Sequence, residues 1–156
     1  MLGEKNIPAT TWILAADGNQ ARLLKGVNLM KDGQQSPEQE VFRWEPKKAQ
    51  DIMADKPGRS HSSVGPGRSA MEYSSDPVRE EQQKFTAEVA GRIDDYAAEG
   101  AFDRLVVCAA PATLGDLRNR LSDKTRTLTL AEIDKNFSNL PTEKLISSVR
   151  SIMFDA

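Results

Sequence analysis

Asp103-Arg-Leu-Val-Val-Cys-Ala-Ala-Pro111 is the stretch that decides the fold. From Leu105 to Ala110 every side chain is apolar, without the alternation of a strand that has one wet face. A strand of this kind is covered on both sides and lies centrally between helical layers. Pro111 then opens a helix, because the missing N–H costs nothing at the first helical position. Leu114, Leu117 and Leu121 fall on one face of it. Immediately upstream, Phe85, Val89, Ile93 and Tyr96 form an apolar stripe at helical spacing that ends at Gly100. Its start is marked by Asp76-Pro77, since Asp accepts hydrogen bonds from free N–H groups of a first turn.

Further out, Arg126-Thr-Leu-Thr-Leu-Ala-Glu-Ile133 reads as a second strand after the central one. Pro141 and the stripe Leu145, Val149, Ile152 predict a closing helix. Toward the N-terminus, Thr11-Trp-Ile-Leu-Ala-Ala16 and Gln20-Ala-Arg-Leu-Leu-Lys-Gly26 are joined through Asp17-Gly18-Asn19, a β-hairpin signal. Glu38-Gln-Glu-Val-Phe-Arg-Trp44 makes a third strand, with Val41 and Arg43 facing opposite to Phe42 and Trp44. Lys31-Asp-Gly-Gln-Gln-Ser-Pro37 supplies turn chemistry between them. The order β-β-β, loop, α-β-α-β-α predicts an α/β fold: a mixed five-stranded sheet with helices on its faces. The 156 residues fit a single domain, 1-156, without internal repeats.

Composition narrows the function classes. A net charge of -2 with 38% hydrophobic residues is too balanced for a general polyanion binder, so any nucleic-acid contact must be local. The opening Met-Leu-Gly-Glu-Lys-Asn-Ile-Pro8 lacks a basic and then apolar secretory pattern, and no apolar run is long enough to span a membrane. A cytoplasmic location without membrane contact is therefore expected. Cys108 is the only cysteine, which excludes an intrachain disulfide, and its apolar neighbours make it a buried small hydrophobe. Trp12, in the first strand, reads as core.

Residues 45-76 break the pattern. Connections longer than about 15 residues are functional or disordered in most compact domains. The second half, Lys56-Pro-Gly-Arg-Ser-His-Ser-Ser-Val-Gly-Pro-Gly-Arg-Ser-Ala-Met71, contains no acid, while Lys56, Arg59 and Arg68 are cationic and His61, the only histidine, joins them at low pH. A phosphate-binding P-loop is poorly matched, because the glycine spacing differs and no strand leads directly in. Nucleophilic catalysis by Ser60, Ser62, Ser63 or Ser69 with His61 as base lacks a Gly-x-Ser-x-Gly elbow. No group of residues has metal-ligand spacing, so neither a metal nor another cofactor is expected. A basic tip touching RNA phosphate and a solvated linker remain, and composition alone is served slightly better by the linker. The loop is expected to be mobile until bound. A second basic group, Arg118, Arg120, Lys124 and Arg126, surrounds the end of the second helix, where favourable interaction with the helix terminus explains it best.

Several sequence words occur here in a characteristic order: Thr11-Trp-Ile-Leu-Ala-Ala-Asp-Gly-Asn-Gln-Ala-Arg-Leu-Leu24, Gly58-Arg-Ser-His61, Gly65-x-Gly-Arg-x-Ala-Met71, Asp76-Pro77, Phe102-Asp-Arg-Leu-Val-Val107, Leu114-Gly-x-Leu117, Asp134-Lys135 and Leu140-Pro141. Over about residues 10 to 150 this set resembles the bacterial host-attachment protein family. That family is similar to the middle domain of the archaeal and eukaryotic class I peptide-chain release factors. The resemblance implies a ribonuclease H-like, release-factor-middle-domain-like α/β sandwich, whose long loop carries a Gly-Gly-Gln tip into the peptidyl-transferase centre. It implies ribosomal RNA or tRNA as partner, with Lys56, Arg59, Ser60, His61, Gly65, Gly67, Arg68, Ser69 and Tyr73 as the binding loop.

The tip Gly-Gly-Gln-Ser-Ala would fall on Pro66, Gly67, Arg68, Ser69 and Ala70, of which only Gly67, Ser69 and Ala70 agree. Pro66 fixes its backbone and lacks an N–H, and Arg68 suits phosphate better than orienting a water. The expected function is accordingly an RNA-binding module at the ribosome, with no catalytic residue named. The alternatives are a regulatory or protein-interaction protein that affects host attachment indirectly, and a peptidyl-tRNA ester hydrolase with a degenerate tip. A metal-dependent nuclease would need several acids converging at strand ends, and only Asp17 and Asp134 stand at such positions. Asp17 reads more simply as a hairpin-turn residue.

Overall fold

The computed structural model describes residues 10–31, 33–44 and 76–154. A mixed sheet of five strands is built from β1 (Thr11–Ala16), β2 (Gln20–Val27), β3 (Glu38–Arg43), β4 (Arg104–Ala109) and β5 (Thr129–Ile133), in the spatial order β3-β2-β1-β4-β5. The first three form an antiparallel meander, whereas β4 runs parallel to β1 and β5 parallel to β4. Among the described residues four helices accompany it: α1 (Pro77–Glu99), α2 (Pro111–Arg120), α3 (Asp123–Leu128) and α4 (Thr142–Phe154).

The two faces of the sheet build two cores. Trp12, Leu14, Leu23, Leu105 and Val107 point to one face and pack under Phe85, Val89 and Ile93 of α1 and Leu114 and Leu117 of α2. The alternate residues Ile13, Leu24, Val106 and Cys108 meet Leu145, Ile146 and Val149 of α4 on the other. Strand β1, buried along its whole length, and β4, buried from Leu105 onward, therefore show no alternation in sequence. Truncating a fully buried leucine such as Leu14 to alanine costs about 2–5 kcal/mol, through lost transfer energy and the cavity left behind.

Helix α1 has both ends fixed by the residues that announce them. The Asp76 carboxylate accepts from the backbone N–H of Val78 at 3.1 Å and of Arg79 at 3.2 Å. Gly100 takes φ 74°, and its N–H and that of Ala101 close on the carbonyls of Ala97 and Tyr96. A side chain at Gly100 would oppose this left-handed turn.

Two expectations are corrected. The strand expected from Arg126 begins only at Thr129, because Ser122 caps a short helix over Asp123–Leu128, its Oγ accepting from Thr125 N–H at 3.2 Å. Thr125, fully buried, donates its hydroxyl to Asp94 of α1 at 2.6 Å, which ties the short helix to the long one. In α4, Ile152 is 39% exposed and Ile146 takes its place in the core. The helix presents 145, 146 and 149 to the sheet, with Met153 partly buried beside them. The hairpin forms as expected, yet Gly18 is not there for a left-handed backbone. A Cβ at Gly18 would lie 2.8 Å from the Gln82 side chain, so the glycine permits α1 to approach the turn.

Candidate functional site

The parallel strands end together. Register places Ala16 of β1 beside Ala109 of β4 and Cys108 beside Ile133 of β5, while β2 starts and β3 finishes at the same end. Open α/β sheets place ligands outside the carboxyl ends of their strands. Here that pole also holds Trp44 and Asp76, the described residues on either side of residues 45–75. Trp44 N–H donates to Asn19 O at 2.8 Å just before them, and Asp76 caps α1 just after them.

Asp17 organises the pole. Its Oδ1 accepts from the backbone N–H of Asn19 at 2.8 Å and of Gln20 at 3.0 Å, and its Oδ2 accepts from Ser138 Oγ at 3.0 Å and Asn136 Nδ2 at 3.3 Å. Both oxygens are thus committed to closing the hairpin and holding the connection between β5 and α4. This is the turn role read from the sequence. Among the described residues no three His, Cys, Asp or Glu side chains come together as a metal set.

Amide side chains surround Asp17. Gln20 Nε2 donates to Asn139 Oδ1 at 2.5 Å, and Gln82 Nε2 reaches Asn19 Oδ1 at 3.4 Å. Beneath them, Arg22 gives its guanidinium to the carbonyls of Ser138 and Leu140 and to Thr142 Oγ1, and burial lowers its pKa. Beyond the turn role of Asp17, nothing in the sequence pointed to this network. Its members come from three separated segments, and the only local signal was the Asp-Gly turn.

The start of α1 is held to α2 by a two-pronged ion pair, Arg79 Nη1 and Nη2 to Asp116 at 2.8 and 3.0 Å. The edge strand β3 is tied to the same long helix farther along. Glu40 accepts from Tyr96 Oη at 2.5 Å and pairs with Lys25 and Arg92, each at 3.1 Å. Lys25 lies 4.7 Å from the Tyr96 ring centroid and 5.6 Å from that of Trp12. The hydrogen bond to Tyr96 raises the Lys25 pKa, burial opposes it, and Glu40 adds to the rise. Burial disfavours the Glu40 carboxylate, but hydrogen bonds from Tyr96, Lys25 and Arg92 prevail and lower its pKa.

Trp12 is core, as expected, and meets Tyr96 edge-on at 5.0 Å. Trp44 is half-buried against the α1 side, and its enclosed Nε1–H has no acceptor among the described residues. Cys108 is a buried hydrophobe, its thiol pushed up to about 12 by burial. In the second basic group, Arg126 donates to the carbonyls of Arg118 and Leu121 at 2.7 and 2.9 Å, closing the end of α2. Arg118 pairs with Glu132 at 2.7 Å. The helix-terminus explanation therefore holds for Arg126, whereas the Arg118 side chain is taken by the Glu132 carboxylate of β5. The loop residues Lys56, Arg59, Ser60, His61, Gly65, Gly67, Arg68, Ser69 and Tyr73 lie outside the described residues, as do Ser62, Ser63, Pro66 and Ala70. No helix among the described residues is long and apolar enough to cross a membrane.

Residues 12–149 match the family described as "Protein required for attachment to host cells". The chain belongs to this family. The match runs from Trp12 in β1 to Val149 in α4, so the host-attachment family takes in all or most of every described strand and helix. A comparison with curated proteins finds no match.

Proposed function

We propose that this host-attachment family protein is a cytoplasmic RNA-binding module that engages ribosomal RNA or tRNA through its basic segment, and that its part in attachment to host cells is indirect. The observation that carries this reading is the placement of the segment's ends. Trp44 and Asp76, which flank residues 45–75 and so the cations Lys56, Arg59 and Arg68 in sequence, both sit at the pole where the parallel strands finish, the end at which open α/β sheets commonly place ligands. Three cations in an otherwise acidic chain favour a local, salt-sensitive contact with phosphate. A meander followed by a long helix and two parallel strands is the element order that the release-factor likeness implies, and it supports a ribonuclease H-like reading of the fold.

The test is whether protein purified at low salt carries nucleic acid, read as the ratio of absorbance at 260 and 280 nm. The proposal expects a raised ratio that falls when Arg59, His61 and Arg68 are replaced together by alanine. An identical low ratio in both proteins would count against it. Ester release from peptidyl-tRNA that disappears in Arg68→Ala would replace binding by catalysis.

The family description favours a second reading, a regulatory or protein-interaction protein acting on attachment without RNA. It expects an attachment defect in cells lacking the protein that the triple alanine variant restores fully. Detection of the protein on the surface of intact cells would overturn the indirect route common to both readings.

A further inference from the structure

The end of the sheet opposite the loop pole carries a groove of about 600 Å³, between the start of β4, the end of β2, the start of β5 and the last turn of α4. Both register shifts of the sheet fall at this end. In β1–β2 the pairing passes from Ile13↔Leu24 to Thr11↔Val27, with Gly26 at φ 84°, and in β4–β5 it passes from Leu105↔Thr129 to Val106↔Ala131, leaving Leu130 as the extra residue. Bulges re-aim side chains and gather beside functional sites. Here they border a wall of exposed apolar groups: Met30 is 77% exposed, Phe154 51% and Leu130 44%. Half of the large hydrophobic side chains that the described residues expose line this one groove.

Met30 is not exposed for want of a fixed backbone. Asn28 Oδ1 accepts from Met30 N–H at 2.9 Å, Gln35 bonds both the N–H and the carbonyl of Asn28 at 2.9 and 2.8 Å, and Arg150 Nε donates to Leu29 O at 2.9 Å. The Met30 side of the wall is preorganised. Arg104 is the charged residue of the lining, and its side chain makes no ion pair or hydrogen bond among the described residues. The neighbouring Asp103 carboxylate is taken by Thr10 N–H at 2.9 Å.

We propose that this groove binds a small amphipathic carboxylate, a single apolar chain whose head is taken by Arg104. A guanidinium binds carboxylate through two parallel N–H bonds, which selects an anionic head. Met30, Leu130 and Phe154 cover the chain, the thioether adapting to its shape. A volume of about 600 Å³, apolar with few polar groups, lies within the usual range of small-ligand sites. The site is independent of the loop pole and of the RNA reading.

Dodecanoate below its micelle-forming concentration is the probe, followed by backbone amide shifts in a nitrogen-15 NMR titration. Shifts should be confined to residues of the groove such as Thr11, Val27, Leu29, Met30, Arg104 and Leu130. Loss of a charge-assisted hydrogen bond predicts that Arg104→Gln weakens dodecanoate about tenfold and leaves uncharged dodecanol unchanged. Leu130→Ser should weaken both amphiphiles. Each variant is checked for the wild-type unfolding midpoint, since both side chains are exposed. Absence of shifts, shifts centred elsewhere, undiminished dodecanoate binding by Arg104→Gln, equally tight binding of dodecyltrimethylammonium, or concentration-dependent self-association through the groove would each overturn the proposal.

Discussion

Ser138 donates its hydroxyl to Asp17 Oδ2 at 3.0 Å across a sequence separation of 121 residues. The bond joins the first hairpin to the connection that leads from β5 into α4, at the pole where Trp44 and Asp76 sit. With four acceptor contacts satisfied together, Asp17 is a structural carboxylate. Asp17→Ala should lower stability by about 2 kcal/mol, the usual loss when partners of a charged acceptor are orphaned. Chemical denaturation checks this. An unchanged midpoint would show that the pole does not depend on the residue.

Arg79 and Asp116 should behave as a coupled pair. A double-mutant cycle of Arg79→Ala and Asp116→Ala is expected to give about 0.5–1 kcal/mol, because the arginine is partly exposed while the geometry is bidentate. The coupling should shrink in high salt. Additive effects of the two substitutions would mean that α1 and α2 are held together by packing alone.

Acid should loosen the edge strand. The folded pKa of Glu40 lies below its ordinary 4.5, so its contribution is present above that value and is lost as pH falls through the lower folded value. Lys25 has the opposite sign. Its pKa is raised above 10.5, so its contribution is complete below that and lost as pH rises through the higher folded value. Glu40→Gln should therefore flatten the acid limb of the stability profile measured by urea unfolding. A limb of unchanged slope would assign the acid sensitivity to other groups.

The Cys108 thiol, fully buried and pushed up to about 12, should resist Ellman's reagent at pH 8 and react only as the protein unfolds. Fast reaction of the native protein would contradict its place in the α4-side core.

The central architecture was legible because its signals are local. Asp76-Pro77 and Gly100 bracket α1, and the unbroken apolar run after Arg104 marks β4 as covered on both faces. The short helix over Asp123–Leu128 was hidden because Thr125, Thr127 and Thr129 alternate with apolar or basic residues as a strand would. A buried Thr125 bonded to Asp94 outweighed that β preference, a tertiary effect that no local window contains. Ile152 was misplaced because the stripe at 145, 149 and 152 fits helical spacing as well as the actual set of 145, 146 and 149. The polar network around Asp17 was illegible for a different reason. It unites residues 17, 136 and 138, which only the parallel pairing of the sheet brings to one end.

The central claim is contact between the basic segment and RNA, and the salt dependence of ribosome co-sedimentation tests it most directly. Each phosphate neutralised contributes a slope of about 0.7–0.9 in log affinity against log salt, so replacing Arg59, His61 and Arg68 by alanine should reduce the slope by about 2. Weaker sedimentation with that reduced slope is the predicted result. Sedimentation of the triple variant with the affinity and slope of the wild-type protein, or no sedimentation of either at low salt, would contradict the account.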